Sequence, residues 1–530
     1  MPARTITSRC YERQLGETEV SYFLPSREDG VNDMYLHLGF RAPERLVRRN
    51  RISLVWAILR TRHPLLASTV KMNDYYDVKF TYEAPSSPDD ALKRANDNLE
   101  FKSLPKDALL DSYLNGPRTL SSERLSYLIL SHPYAPSNGT VHEPSQANGD
   151  ASLNGNGHAN GNGHATHDEK AEYDLMICAT HYLGDGMALH QFAHELFTLL
   201  GNKTEGELRE LLEKEWETRC DAQLESSLVL PPALEQRLPA GPTGRFNQAA
   251  ARVDFAKSQE KFIGGHSFPK RSGNQRNTIV PTVPFDEERT KKILKNCKAH
   301  GVSISSALFA ICSIAWAKTS DTKWELPIMM YSALNLRPYL TIERPITDSY
   351  WFIAIGYFNV VLPTFLPKDG AVDKTFWHRA QKAKEQSNSA AKSRMIISRS
   401  RLMAQERGAR ARVWAKEDDD KAAGRWKAPT ASPPAPVNNG KVTHKAPSTA
   451  LMGLSLLGNL DAMYKHASFP DIQMHTLTTG SRQRAGGLLL FGYTFVGKLW
   501  VSLGYDENGF DKAVIESFWR NVLGSIDELL

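Results

Sequence analysis

Cysteine is scarce in this chain: five in 530 residues, at Cys10, Cys178, Cys220, Cys297 and Cys312, far apart and odd in number. That argues against a disulfide framework and against a cysteine-based zinc site, and favours a reducing compartment. No stretch approaches the run of about 18 apolar residues that a membrane-crossing helix needs, so no span is expected. The opening segment, Met1–Cys10, carries no apolar region of the secretory kind, and a cytoplasmic location is the default expectation. A dominant charge sign is lacking too. Sixty-five Lys and Arg against 59 Asp and Glu leave +6, scattered without a basic stripe, too little to suggest a nucleic-acid binder. No Gly-rich phosphate loop or dinucleotide fingerprint is present either. What is there, 41% hydrophobic and 23% charged residues, suits a globular protein with room for two domains and a sizeable core.

Three blocks follow from the patterning. A first ordered block covers residues 1–201. In it Met34, Leu36, Leu38 and Phe40 alternate as a strand, and a helix opened by Pro43 carries Leu46, Ile52, Val55, Trp56 and Leu59. Further strands are expected at Asp77–Tyr82 and Ser126–Ser131. Residues 136–170, built from Asn, Gly, His, Ser and Ala, have little to bury and read as a disordered insertion. Its His158, His164 and His167 read as solvated. Residues 202–278 read as a linker with a helical start at Glu205–Cys220. The second ordered block, 279–530, promises a helix capped by Asp286 and ending at Gly301, and another from Ser303 through Trp316. Strands at Leu326–Ala333 and Phe352–Leu362 and a helix at Phe376–Ser393 follow. Residues 406–445, charged and then Pro-rich, read as a mobile loop. A hairpin turns at Val496-Gly497, and Val514, Phe518, Val522 and Ile526 mark a last helix. Two α/β lobes joined by a linker are the expected fold.

Chemistry concentrates at His181-Tyr-Leu-Gly-Asp185-Gly186. The apolar run Tyr173–Thr180 reads as a buried strand that delivers His181 at its C-terminal end, and Met187–Leu200 reads as the following helix. A histidine on such a loop, before a glycine that lets the chain turn, is well placed to act as general base. The simpler alternative is a histidine that only ends a strand and bonds its own loop. Asp185 is expected to organise that loop, pairing with a distant cation and accepting backbone N–H bonds at the helix start.

With these residues in view, His181-x-x-x-Asp185-Gly186 resembles the signature of the acyltransferase superfamily that includes chloramphenicol acetyltransferase, plant BAHD enzymes, fungal alcohol acyltransferases and peptide-synthetase condensation domains. Four further stretches agree with it in order and spacing: Arg60-Thr-Arg-His-Pro-Leu-Leu66, Asn335-Leu-Arg337-Pro338, Gly356-Tyr-Phe-Asn359 and Ser455-Leu-Leu-Gly458-Asn459-Leu460, the last resembling a late loop. The resemblance implies two chloramphenicol-acetyltransferase-like lobes, each a mixed β-sheet flanked by helices, with a tunnel between them and His181 midway. It also implies that Asp185 pairs with Arg337, with Gly186 and Arg337 supporting the site. Asn359, Ser455 and Asn459 are candidates to hold an oxyanion or line the substrate. The chain lacks the Asp-Phe-Gly-Trp-Gly motif of the plant enzymes. It also lacks the double histidine of many condensation domains, since Thr180 precedes His181. Both departures favour a stand-alone, fungal-type O-acyltransferase.

Two other motifs read as structural. His190-Gln-Phe-Ala-His194 has the spacing of a zinc helix but lacks the glutamate of metalloproteases. Gly264-Gly265-His266-Ser267 looks like a pantetheine attachment site without the helical domain that would present it. The expected activity is thus transfer of an acyl group, acetyl first, from acyl-CoA to the hydroxyl of a small secondary metabolite, by a monomer with no metal and no permanently bound cofactor. A condensation-type enzyme that forms amides from carrier-bound thioesters is the alternative. A non-catalytic family member that binds carriers or ligands is the alternative of another class.

Overall fold

The computed structural model describes residues 9–133, 169–220, 229–273, 275–320, 322–341, 349–368, 370–427 and 446–530. The three histidines of the expected insertion, the Pro-rich 428–445 and residues 1–8 lie outside the described residues. Leaving single turns aside, the first part of the chain runs β1 (Cys10–Gln14), α1 (Glu17–Ser26), β2 (Met34–Pro43), α2 (Arg49–Arg62), β3 (Thr69–Met72), β4 (Val78–Glu83) and α3 (Pro88–Asn96). It continues with β5 (Leu99–Lys102), α4 (Lys106–Asn115), β6 (Ser126–Ser131), β7 (Lys170–Ala179), α5 (Gly186–Asn202) and α6 (Glu205–Arg219). Then come α7 (Arg245–Glu260), β8 (Thr278–Ile279), β9 (Thr282–Phe285), α8 (Glu287–Ala299), α9 (Ile304–Thr319), β10 (Ile328–Asn335), β11 (Ile355–Leu362) and α10 (Val372–Ala391). The chain ends with α11 (Ile396–Ala422), β12 (Ala450–Asn459), β13 (Gln473–Ser481), β14 (Leu488–Phe495), β15 (Lys498–Asp506) and α12 (Lys512–Leu529).

Two mixed sheets form the lobes. The first has the order β13-β2-β7-β6-β5, with β1, β4 and β3 as a small sheet beside it; the second has the order β11-β10-β12-β14-β15-β8, with β9 also on β15. Strand alternation explains how the first sheet is buried on both faces. Leu36, Leu38, Phe40, Leu175 and Ile177 join the core with Trp56 of α2 and Phe192 of α5. Tyr35, Met176 and Cys178 pack on the other face with Leu109 and Tyr113 of α4. The second sheet has its own core against α9, α10 and α12, built around Phe309, Trp316, Phe376 and Phe518. Trp56 and Trp316 are therefore packed core, as their helical spacing predicts.

The expected strands and helices of both blocks form, within a few residues of their expected ends, except that the helix opened by Pro43 is broken at extended Arg48, which leaves a single turn at Glu44–Val47 before α2. The hairpin does turn at Val496-Gly497. Both residues have positive φ, 51° and 68°, an unusual conformation for a β-branched side chain. The Asp461 carboxylate holds the turn by accepting the N–H groups of Val496 at 2.7 Å and Gly497 at 3.0 Å.

Three expectations are corrected. Residues 279–530 are not all second lobe, because β13 crosses over and pairs antiparallel with β2 along Gln473↔Arg41 to Ser481↔Met34. The stretch 202–278 is not simply a linker: Leu208 and Leu212 of α6 are buried in the first core, and Glu215 pairs with Arg62 of α2 at 2.6 Å. Residues 406–422 are not a mobile loop but the second half of α11, which packs along α1. Ala404, Gly408, Ala411 and Ala415 form a buried small-residue stripe along it. A Cβ at Gly408 would collide with the Glu17 carboxylate. Arg412 pairs with Glu17 at 2.7 Å, and Arg27 with Asp419 at 2.8 Å.

Among the described residues no single helix is long and apolar enough to cross a membrane, and no group of three His, Cys, Asp or Glu side chains could hold a metal ion.

Candidate active site

β7 ends at Ala179, two residues before His181, and α5 begins at Gly186, so the histidine sits in the turn between a central strand and a buried helix. It is half-buried on the wall of a cavity of about 1560 Å³, which is lined from both lobes. Its Nδ1 lies 3.1 Å from the carbonyl oxygen of Gly184. A carbonyl can only accept, so Nδ1 carries the proton and Nε2 is left with a free lone pair. Burial lowers the imidazole's pKa below its usual range, against the opposing pull of Asp185. The ring is thus neutral near pH 7 and able to take a proton. The bond to the loop is thus the same arrangement that leaves Nε2 able to accept a proton.

Asp185 turns away from the cavity. It is the N-cap of α5, accepting the Ala188 N–H at 3.1 Å on Oδ1. Oδ2 accepts from Arg337 Nη1 at 2.8 Å and from the Ala354 N–H at 2.8 Å. Arg337 also donates through Nη2 to the carbonyls of Phe352, at 3.0 Å, and Tyr350, at 3.3 Å. The carboxylate is therefore spent on structure, joining the His181 turn to the second lobe.

Glycine matters here at a different position from the one expected. Gly186 opens α5 with no left-handed φ. Gly184 is the constrained one: a Cβ there would stand 2.9 Å from the ring of buried Trp351 and 3.2 Å from Ala188 Cβ.

Of the polar candidates, Asn359 on β11 and Ser455 on β12 line the cavity with His181. Asn459 does not. It is exposed, and its Oδ1 accepts from the Asp461 N–H at 3.1 Å and from Thr494 Oγ1 at 3.3 Å. The Ser455–Asn459 stretch, expected as a loop, is the end of strand β12, with a register shift before Gly458. The Arg60–Leu66 motif ends α2 and meets the other lobe through His63. The His63 ring donates from Nε2 to Glu195 at 3.1 Å, while Nδ1 accepts from Ser349 Oγ at 3.0 Å. Tyr350 also donates to Glu195.

An aromatic layer that no motif in the sequence marks lies beside His181. Tyr22 of α1 stacks on His181 with ring centroids 4.3 Å apart and planes at 27°. Its hydroxyl bonds that of Tyr357 on β11. The guanidinium of Arg407, from α11, lies over both rings, 5.3 Å from Tyr22 and 4.4 Å from Tyr357. The sequence signal for α1 is Glu19 three residues after Gly16, whose N–H its carboxylate accepts at 2.8 Å, together with the spacing of Val20, Phe23 and Leu24.

The other two motifs are structural. His190 is buried, its Nδ1 meets Tyr464 Oη at 2.9 Å, and burial pushes its pKa down to about 3. His266 is buried and accepts from Trp316 Nε1 at 2.9 Å, while Cβ atoms at Gly264 and Gly265 would strike Thr449 and Leu326. Those glycines permit close backbone packing.

No protein-family model matches the chain, and no curated protein matches it in sequence. Its structure is similar to TRI3 trichothecene 15-O-acetyltransferase from Fusarium sporotrichioides, with a TM-score of 0.68 at 13% identity, covering 99% of this chain and 96% of that one. It is similar as well to polyketide synthase associated protein 5 from Mycobacterium tuberculosis, with a TM-score of 0.52 at 11% identity over 97% and 98% of the two chains. For the condensation domain of the Monacolin K polyketide synthase MokA the TM-score is 0.52 at 9% identity, over 99% and 98%. The chain therefore has the two-lobed mixed α/β fold that these solved structures share.

Proposed function

We propose that this protein is an acyl-CoA-dependent O-acyltransferase, with acetyl as the expected group and the hydroxyl of a small secondary metabolite as acceptor. One observation carries the reading: a neutral His181 with its Nδ1–H tied to Gly184 faces a cavity shared by the two lobes, while Asp185 is committed to Arg337. Similarity to an O-acetyltransferase fold supports the choice of reaction.

In this reading His181 Nε2 takes the proton of the acceptor hydroxyl as its oxygen attacks the thioester carbonyl. The tetrahedral intermediate collapses to the ester, the carbon–sulfur bond breaks, and the imidazolium returns the proton to the departing coenzyme A thiolate. General-base help of this kind is worth about 10²- to 10⁴-fold. Asn359 and Ser455 are the candidates to donate to the oxyanion, and losing such a donor costs about 10²- to 10³-fold. A monomer suffices, because one chain supplies both walls of the cavity. A cytoplasmic setting suits the unpaired cysteines.

The test is mass-spectrometric. Wild type and His181→Ala are incubated with isotope-labelled acetyl-CoA and a panel of alcohols, amines and metabolite extract. A labelled ester formed only by wild type is the expected result. A labelled amide, or product only from carrier-bound thioester, moves the reading to a condensation-type enzyme. A product formed equally by both proteins sinks His181 as base, and no product with any donor favours a binding protein.

A further inference from the structure

The bond from Nδ1 to Gly184 secures one edge of the His181 ring and leaves its plane free to tilt about that bond. A second constraint is needed to aim Nε2, and Tyr22 supplies a flat surface at stacking distance. We propose that Arg407 is a positioning residue for His181, acting through Tyr22, which it holds against the imidazole. The inference rests on the reading of His181 as the base.

Several independent features place Arg407 there. Its guanidinium lies over both Tyr22 and Tyr357, and the two phenols are bonded to each other, so one cation gathers a ring from each lobe. Among the described residues no carboxylate pairs with Arg407, so its charge is spent on the aromatic layer. The register of α11 against α1 is pinned on the same face: Gly408 adjoins Glu17, and the Arg412–Glu17 and Arg27–Asp419 pairs follow along the helix. Arg407 thus stands over Tyr22 because the helix pair is built to that register.

The groups around His181 are Asp185 from the turn, Tyr22 from α1, Tyr357 from β11 with Tyr331 of β10 behind it, and Arg407 from α11. Asp185 pulls the imidazole pKa up, and Arg407 pushes it down alongside burial. Loss of Arg407 therefore has two separable consequences. The stack loosens, and the imidazole becomes easier to protonate.

The test uses the full chain carrying histidine labelled with ¹³C at Cε1, the His181 signal being assigned by its loss in His181→Ala. In wild type that signal is displaced by the Tyr22 ring current. In folded Arg407→Met it should move toward the position of a free imidazole and titrate at higher pH, as it should in Tyr22→Leu. Tyr22→Phe, which keeps the ring, should retain most of the displacement. Arg407→Lys keeps the charge without the planar guanidinium, so it should lose displacement while titrating near the wild-type midpoint. It also serves as the comparison if Arg407→Met does not fold. With acyl transfer as readout, Arg407→Met should lose about 10²-fold in kcat with little change in KM. A folded Arg407→Met or Arg407→Lys whose His181 signal is unmoved in both position and midpoint overturns the proposal. The magnetic-resonance readout needs no acyl donor, so an inactive wild type would sink the enzyme reading and leave this test standing.

Discussion

Asp185 caps α5 and Glu195 stands further along the same helix, and both carboxylates reach the same second-lobe segment, Ser349 to Ala354. Asp185 accepts from Arg337, the Ala354 N–H and the Ala188 N–H. Glu195 accepts from Arg62, His63 and Tyr350. Between them Trp351 is buried against Gly184 and Phe192. The two anchors are alike in chemistry but unlike in what they hold. Asp185 fixes the turn that carries His181, so under the proposed mechanism its error is passed directly to the His181 Nε2. Glu195 fixes the body of one lobe on the other, a contact that many apolar neighbours also secure. Similar polar bonds can thus serve positioning at one end of a helix and docking at the other.

Of the two anchors, Asp185 should have the larger effect on activity when replaced by Asn. The amide can no longer answer the Arg337 charge, and the turn loses its fixed geometry. A modest displacement of a catalytic group costs about 10²-fold, so kcat should fall by that order in steady-state assays. Stability should fall too, by about 1.5–3 kcal/mol in denaturant unfolding, the range for a hydrogen bond to a charged group. Full activity in Asp185→Asn would break the assignment of positioning to this end of α5.

Glu195→Gln should reverse the balance. It removes a carboxylate from Arg62 and His63, so a stability loss of about 1.5–3 kcal/mol is expected, with kcat within a few-fold of wild type. A loss of turnover as large as that of Asp185→Asn would show the two anchors to be one unit.

The contrast between these anchors also marks how far the residues alone could be read. The Asp185–Arg337 bridge was legible because each partner lies in a recognisable motif and the family resemblance pairs them. His63 also lies in a motif, yet Glu195 and Tyr350 carry no local signal of being its neighbours. β7, His181 and α5 were legible from an apolar run followed by helical spacing. The second half of α11 was not, because its many charges obscured the small-residue stripe that faces α1. The crossover of β13 to β2 is a long-range pairing, which no local pattern specifies. Gly186 stands out in the sequence by its place in the motif, whereas Gly184 is constrained by Trp351, a contact visible only in three dimensions.

Acid unfolding sharpens the comparison further. Burial lowers the pKa of His63 and His190, so below about pH 6.5 the unfolded chain binds protons that the folded chain refuses, and stability declines. Although burial opposes it, bonds from His63 and Arg62 hold Glu195 down at about 2, from an ordinary 4.5. The contribution of Glu195 is present above pH 4.5 and is lost as pH falls toward 2. Melting temperature against pH should therefore drop in two stages, and Glu195→Gln should weaken the lower one. An unchanged lower stage would assign it to other carboxylates.

Asn459→Ala should have the smallest effect. Its motif places it with Ser455 among the site candidates, but its geometry places it at the exposed end of β12, where it caps a single turn and meets Thr494. Losing such a cap costs about 0.5–1 kcal/mol, and turnover should be unchanged because the side chain does not reach the cavity wall. The one indirect route to the site would run through Asp461, which Asn459 orients and which holds the Val496-Gly497 turn. That turn lies at the far end of the β14–β15 hairpin from Leu488 and Leu489, the β14 residues that line the cavity. A fall in kcat without a fall in melting temperature would therefore mean that this late segment approaches the reacting groups in the substrate-bound protein, and that the motif had been the better guide than the geometry.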